Sequence, residues 1–84
     1  MRVICIYREG QDYSRTVNEF LENVRRQTGY KIETMDPDTN ASFCKTYDIV
    51  EYPTILALDN NGSVRASWRG KTLPLINEVL YYII

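Results

Sequence analysis

The chain opens on Val3-Ile4-Cys5-Ile6-Tyr7, an unbroken apolar run rich in β-branched residues, which is the pattern of a strand covered on both faces. Arg8-Glu9-Gly10-Gln11 ends the run and the rhythm changes: Val17, Phe20, Leu21 and Val24 recur at i, i+3, i+4 and i+7, one face of a helix. Asp12 or Ser14 is placed to cap that helix and Gly29 to end it, because glycine takes the left-handed conformation after a last helical turn without a Cβ clash. Tyr30 to Met35 alternates as a second strand, stopped by Asp36-Pro37-Asp38, since proline has no N–H to give a ladder. Strand, long helix and strand make a right-handed βαβ unit. Thr39 or Asn40 then caps a short helix whose Phe43, Cys44 and Tyr47 share a face, and Tyr52-Pro53 interrupts the chain again.

A third strand, Thr54 to Leu58, and a fourth, Ser63 to Arg69, flank Asp59-Asn60-Asn61-Gly62, a strong hairpin turn. In the fourth, Val64, Ala66 and Trp68 alternate with Arg65, Ser67 and Arg69, so one face is expected to pack and the other to meet water. After Gly70 a final helix is expected to open at Thr72 or Leu73 with Pro74 in its first turn, where a missing N–H costs nothing, and to bury Ile76, Val79, Leu80 and Ile83. No repeat, linker or low-complexity segment breaks the series.

Length and composition narrow the functions this pattern can carry. With 84 residues, 44% of them hydrophobic, the chain supports one small core and one domain, residues 1–84. Ten Lys and Arg nearly balance eleven Asp and Glu with no block of either sign, so neither nucleic acid nor a membrane surface is expected as a partner. Histidine is absent, which removes Ser-His-Asp and Cys-His catalysis and imidazole metal ligation; no metal and no cofactor are expected. The two cysteines, Cys5 and Cys44, form no C-x-x-C, which excludes a zinc ribbon or a disulfide-dense scaffold and suits a reducing, cytoplasmic setting. Met1-Arg2 runs directly into the first strand without a signal h-region, and no apolar stretch reaches membrane-spanning length, so a soluble, unexported protein is expected.

The order βαβ, short helix, ββα is that of the minimal thioredoxin fold, an α/β architecture with a four-stranded mixed sheet flanked by three helices. The second half of the chain resembles thioredoxins at particular residues. Asn40 to Ile49 looks like the family's helix, ending in a tyrosine, a turn residue and an aliphatic; Glu51-Tyr52-Pro53-Thr54 is similar to the family's x-x-Pro-Thr with its cis-proline. An apolar strand, an Asn-Gly turn, a strand and Gly70 follow in the family's order. The resemblance implies a cis bond before Pro53; a trans proline in an ordinary loop is the alternative.

Ungapped alignment back from Phe20-Leu21-Glu22-Asn23-Val24 sets the family's C-x-x-C on Gln11-Asp12-Tyr13-Ser14. There the first cysteine of the family sits at a helix N-terminus, which stabilises its attacking thiolate, and the second resolves the mixed disulfide. Gln11 is no nucleophile and Ser14 forms no S–S bond. Cys5 also falls where many thioredoxins keep a buried acid for proton transfer. Tyr13 is similar to the tyrosine of the glutaredoxin Cys-Pro-Tyr-Cys, but a monothiol glutaredoxin still needs the first cysteine, and the hairpin after Pro53 is longer than a glutaredoxin's.

The resemblance therefore implies a non-redox docking module that holds an extended peptide or protein partner at the degenerate active-site face. Tyr13 and Tyr52 are expected to flank the groove and Tyr7 to lie near its floor, beside the cis-proline loop Tyr52-Pro53-Thr54. The plainer alternative makes Tyr7 core and the other two exposed aromatics. A divergent thiol–disulfide oxidoreductase using Cys44 or Cys5 with a partner thiol is the competing function, against which both cysteines read as buried small hydrophobes. The start of the first helix, with Arg8 or Arg15, is a candidate anion site opposed by Glu9 and Asp12. Leu75, Tyr81, Tyr82 and Ile84 widen the last helix's apolar surface, as a homodimer contact or as a chain end folded onto the sheet, so monomer and weak homodimer both stay open.

Overall fold

A strand that is apolar at every position needs cover on both sides of its sheet, and the chain supplies it with helices on each. The computed structural model describes residues 1–83. Its elements are β1 (Arg2–Ile6), α1 (Ser14–Thr28), β2 (Glu33–Met35), α2 (Ala41–Thr46), β3 (Thr54–Leu58), β4 (Val64–Arg69) and α3 (Ile76–Leu80). The sheet order is β2-β1-β3-β4, with β1 parallel to β2, antiparallel to β3, and β3 antiparallel to β4. This is the expected βαβ-α-ββα architecture.

Alternate residues of the two central strands enter two separate cores. Val3, Cys5, Ile55 and Ala57 meet Val17, Phe20 and Val24 of α1 and Val79 of α3; Ile4, Ile6, Leu56 and Leu58 meet Cys44 of α2 and Ile49 beyond it. Cys5 and Cys44 thus lie on opposite sides of the sheet.

The element ends differ from expectation for local reasons. The strand expected over residues 30–35 pairs only from Glu33, because the Tyr30 hydroxyl accepts the Val3 N–H at 3.2 Å where a ladder carbonyl would stand, and Ile32 turns into the core. Neither Asp12 nor Ser14 caps α1: its N-cap is Tyr13, with no side-chain hydrogen bond. Gly29 ends α1 as expected, at φ 78°, with its N–H on the Arg25 carbonyl. Asn40 occupies the N-cap of α2, yet its amide donates back to the Asp36 carbonyl at 2.9 Å instead of capping.

Val64 is exposed rather than packed. A bulge pairs it with Leu58 while Ala66 pairs with Ala57, so the alternation through Ala66 and Trp68 does not extend to it. The last helix starts at Ile76, a turn later than expected. Pro74 is buried ahead of it rather than within its first turn, and Glu78 Oε1 accepts the Leu75 N–H at 2.9 Å. Val79 is buried, Ile76, Leu80 and Ile83 are half-buried, and Ile84 lies outside the described residues. Among the described residues no helix is long and apolar enough to cross a membrane.

Candidate functional site at the loop end of the sheet

Strand directions bring four loops to one end of the sheet. Parallel β1 and β2 both finish there, antiparallel β3 begins there, and β4 returns there. The register Ile6↔Thr54 sets Pro53 beside the residues that follow β1. The expected motif Gln11-Asp12-Tyr13-Ser14 and the loop Tyr52-Pro53-Thr54 therefore belong to the same end.

Ser14 is the organising residue of the first loop. Only 6% exposed, its hydroxyl accepts the Gln11 N–H at 2.9 Å and donates to the Arg8 carbonyl at 2.8 Å, closing residues 8–14 into a knot ahead of α1. The Gln11 side chain is exposed and Asp12 points away to Lys71, 2.9 Å from its ammonium. That hydrogen bond and the adjacent positive charge hold the Asp12 carboxyl below its ordinary range. Tyr13 is half-buried against the α1-side core, and its hydroxyl accepts the Arg8 N–H at 3.2 Å.

On the other side, Tyr52 packs half-buried against the α2-side core, and Pro53 and Thr54 are buried. The Tyr52–Pro53 peptide is cis. Thr54 Oγ1 donates to the Glu51 carbonyl at 2.6 Å, and the Pro53 carbonyl accepts the Gly70 N–H at 2.9 Å. Between these bonded neighbours, the N–H and C=O of Tyr52 meet no partner among the described residues. Tyr7 is 9% exposed and belongs to the core; its hydroxyl lies 2.8 Å from both Glu9 Oε1 and Asn18 Oδ1, and burial, then the Glu9 carboxylate, push its phenol above the ordinary value. One phenolic proton serves only one of two acceptors, so the geometry fits an Asn18 amide turned to donate.

Arg8 joins the two sides. Its N–H meets Tyr13, its guanidinium carbon stands 4.8 Å from the centre of the Tyr52 ring, and it forms a two-point pair with Asp38 at 2.8 and 3.2 Å. The pair holds the Asp38 carboxyl down, while burial pushes the Tyr52 phenol up. Arg8 and Arg15 are both engaged by carboxylates, Asp38 and Glu19, so neither is offered to an anion at the start of α1. The bridging Arg8–Asp38 pair is the feature that sequence reasoning missed. The signal was available, because each residue lies just beyond a strand of a parallel pair, which places both loops at one end.

Beyond the pair, a cleft of about 480 Å³ lies between Arg8, Asp38, Lys45 and Tyr52, with Cys44, a residue 7% exposed, among those lining it. Cys5 is fully buried, and burial raises its thiol from 9.0 to about 12. Neither thiol belongs to the loop ahead of α1: Cys5 is in mid-β1 and Cys44 in α2.

Solved structures share this fold. Thioredoxin 1 of the thermophilic eubacterium Thermosipho africanus TCF52B is similar over 99% of this chain and 90% of its own, with a TM-score of 0.71 at 17% identity. The chain has a thioredoxin fold. The reduced thioredoxin pre-protein of Schistosoma mansoni matches with a TM-score of 0.74 at 18% identity, over 96% of this chain and 73% of that one. A malarial protein matches with a TM-score of 0.69 at 17% identity, over 96% and 90%. No family model and no curated protein matches the sequence. At the end of this sheet where the four loops meet stand Gln11, Ser14 and the Arg8–Asp38 bridge.

Proposed function

We propose that the chain is a non-redox docking module that holds an extended peptide at the loop end of its sheet. The observation that carries this reading is the backbone of Tyr52: an N–H and a C=O without partners among the described residues, beside a large aromatic ring, are what an added strand pairs with. Tyr13 and Tyr52 supply contact area with polar tips on the two sides of Arg8, and Tyr7 lies in the α1-side core that Tyr13 packs against. The sequence supports the absence of dithiol chemistry, since Gln11 and Ser14 occupy the motif. A thiol reaction through Cys44, which lines the neighbouring cleft, is the second reading.

Short random peptides displayed on phage and selected on the immobilised protein test the proposal. A selected peptide is expected to shift the Tyr52 amide resonance and to lose about tenfold or more in affinity against Tyr13→Ala/Tyr52→Ala. Binding that leaves the Tyr52 amide unmoved overturns the docking site whether or not the double variant folds.

A further inference from the structure

At the sheet edge away from β2, β4 leaves one side of its backbone unpaired. The opposite edge is protected: β2 has three residues and carries the two-point Arg2–Glu33 pair at 2.8 and 2.9 Å. β4 has six residues, and its two faces differ in chemistry.

Ser67 and Arg69 share the α2-side face with Leu56 and Thr54, their register partners, and the bulge beside Leu58 keeps Arg65 with them. Arg2, Arg8, Arg15, Arg25, Arg26 and Lys71 each meet a carboxylate; among the described residues Arg65, Arg69, Lys31 and Lys45 meet none, and of these only the two arginines lie on β4. Arg69 donates instead to the carbonyls of Asp48 and Tyr47, at 2.7 and 3.2 Å, which fixes its position and leaves its charge uncompensated. On the other face, Trp68 packs edge-on to Tyr82 at 5.8 Å and Tyr82 to Tyr81 at 4.9 Å, around an open notch of about 530 Å³ beside Ala66. Tyr81 is 71% exposed. The Glu78 carboxylate at this notch, held by the Leu75 N–H, disfavours a second acid there.

We propose that β4 is a docking edge for an extended peptide that alternates acidic with apolar side chains. Backbone pairing with β4 sets successive side chains on opposite faces, so acids reach Arg65 and Arg69 while apolar residues reach the Trp68 notch. A second copy fits poorly. Pairing about Ser67 sets Arg65 opposite Arg69 twice, and pairing about Ala66 runs the new ladder through the bulge. The inference rests on β4 and the aromatic notch beside it and stands or falls independently of docking at Tyr52.

Trp68 is the only tryptophan, so its fluorescence reports directly on β4. The probe is an acetylated, amidated peptide of alternating glutamate and leucine, titrated into the wild-type protein alongside two controls: lysine in place of glutamate, and backbone N-methylation on one edge. The glutamate peptide is expected to change Trp68 emission saturably and to slow amide exchange in β4, with each control at least about tenfold weaker, and Arg65→Glu is expected to reverse the preference between glutamate and lysine peptides. Equal binding of the lysine or N-methylated peptide, or no binding of the glutamate peptide, overturns the proposal.

Discussion

Replacing Ser14 by alanine removes both hydrogen bonds that knot the loop before α1. The hydroxyl accepts the Gln11 N–H and donates to the Arg8 carbonyl from a site only 6% exposed. A net contribution of roughly 0.5–1.5 kcal/mol for each bond gives a loss of about 1–3 kcal/mol. The lower half of that range is expected, because Gln11 is exposed and water takes up its N–H. For a domain of this size each kcal/mol moves the melting midpoint by roughly 4–8 °C, so Ser14→Ala should lower Tm by roughly 5–15 °C. Urea titration should show the same loss with an unchanged m value. Gln11→Ala, at an exposed side chain, should stay within about 0.5 kcal/mol of wild type, and Ser14→Cys should fall between the two because sulfur is a weak hydrogen-bonding atom. A Ser14→Ala protein as stable as Gln11→Ala would refute the view that Ser14 clamps the loop ahead of α1.

Other outcomes follow from single sites. Gly62 has φ +83° and a Cβ there would stand 3.3 Å from the Tyr47 hydroxyl, which itself donates to the Gly62 carbonyl at 2.7 Å; Gly62→Ala should cost about 1–2 kcal/mol in chemical denaturation, and no loss would contradict this turn geometry. Burial raises Cys5 to about 12, so its neutral form stabilises the fold fully below 9.0 and that stability is lost as pH climbs toward 12. At about 1.4 kcal/mol per pH unit the loss reaches roughly 2 kcal/mol near pH 10.5; Cys5→Ala should lack this component while keeping the parallel alkaline loss from Tyr7, and equal alkaline slopes would count against it. Alkylation of the folded protein followed by mass spectrometry should find both thiols slow at neutral pH, whereas complete reaction of Cys44 below about pH 7 would favour the thiol-based reading.

The fold was legible wherever side-chain period reports burial directly. β3 occupies the expected Thr54 to Leu58, α1 buries the expected Val17, Phe20 and Val24, and Gly29 ends it. What sequence concealed were substitutions of one polar partner for another: the Tyr30 hydroxyl replacing a ladder bond at Val3, the Asn40 amide turning back to Asp36, and the single extra residue of the β4 bulge that exposes Val64. Apolar period carries no information about these. The site followed the same division. Gln11, Tyr13, Ser14 and Tyr52 are expected from the alignment at one end of the sheet, and the strand register places them there. The Arg8–Asp38 bridge depends on two loops 30 residues apart meeting at one sheet end, and the exposed β4 arginines stand out only once the other arginines are seen to be paired.

Docking without thiol chemistry is tested most directly by the affinity of a display-selected peptide for the Cys5→Ala/Cys44→Ala protein, measured calorimetrically with and without reductant. Non-redox docking predicts affinity within about threefold of wild type and indifference to reductant. Lost binding in a variant that still folds, or binding to wild type that reductant abolishes, would contradict it.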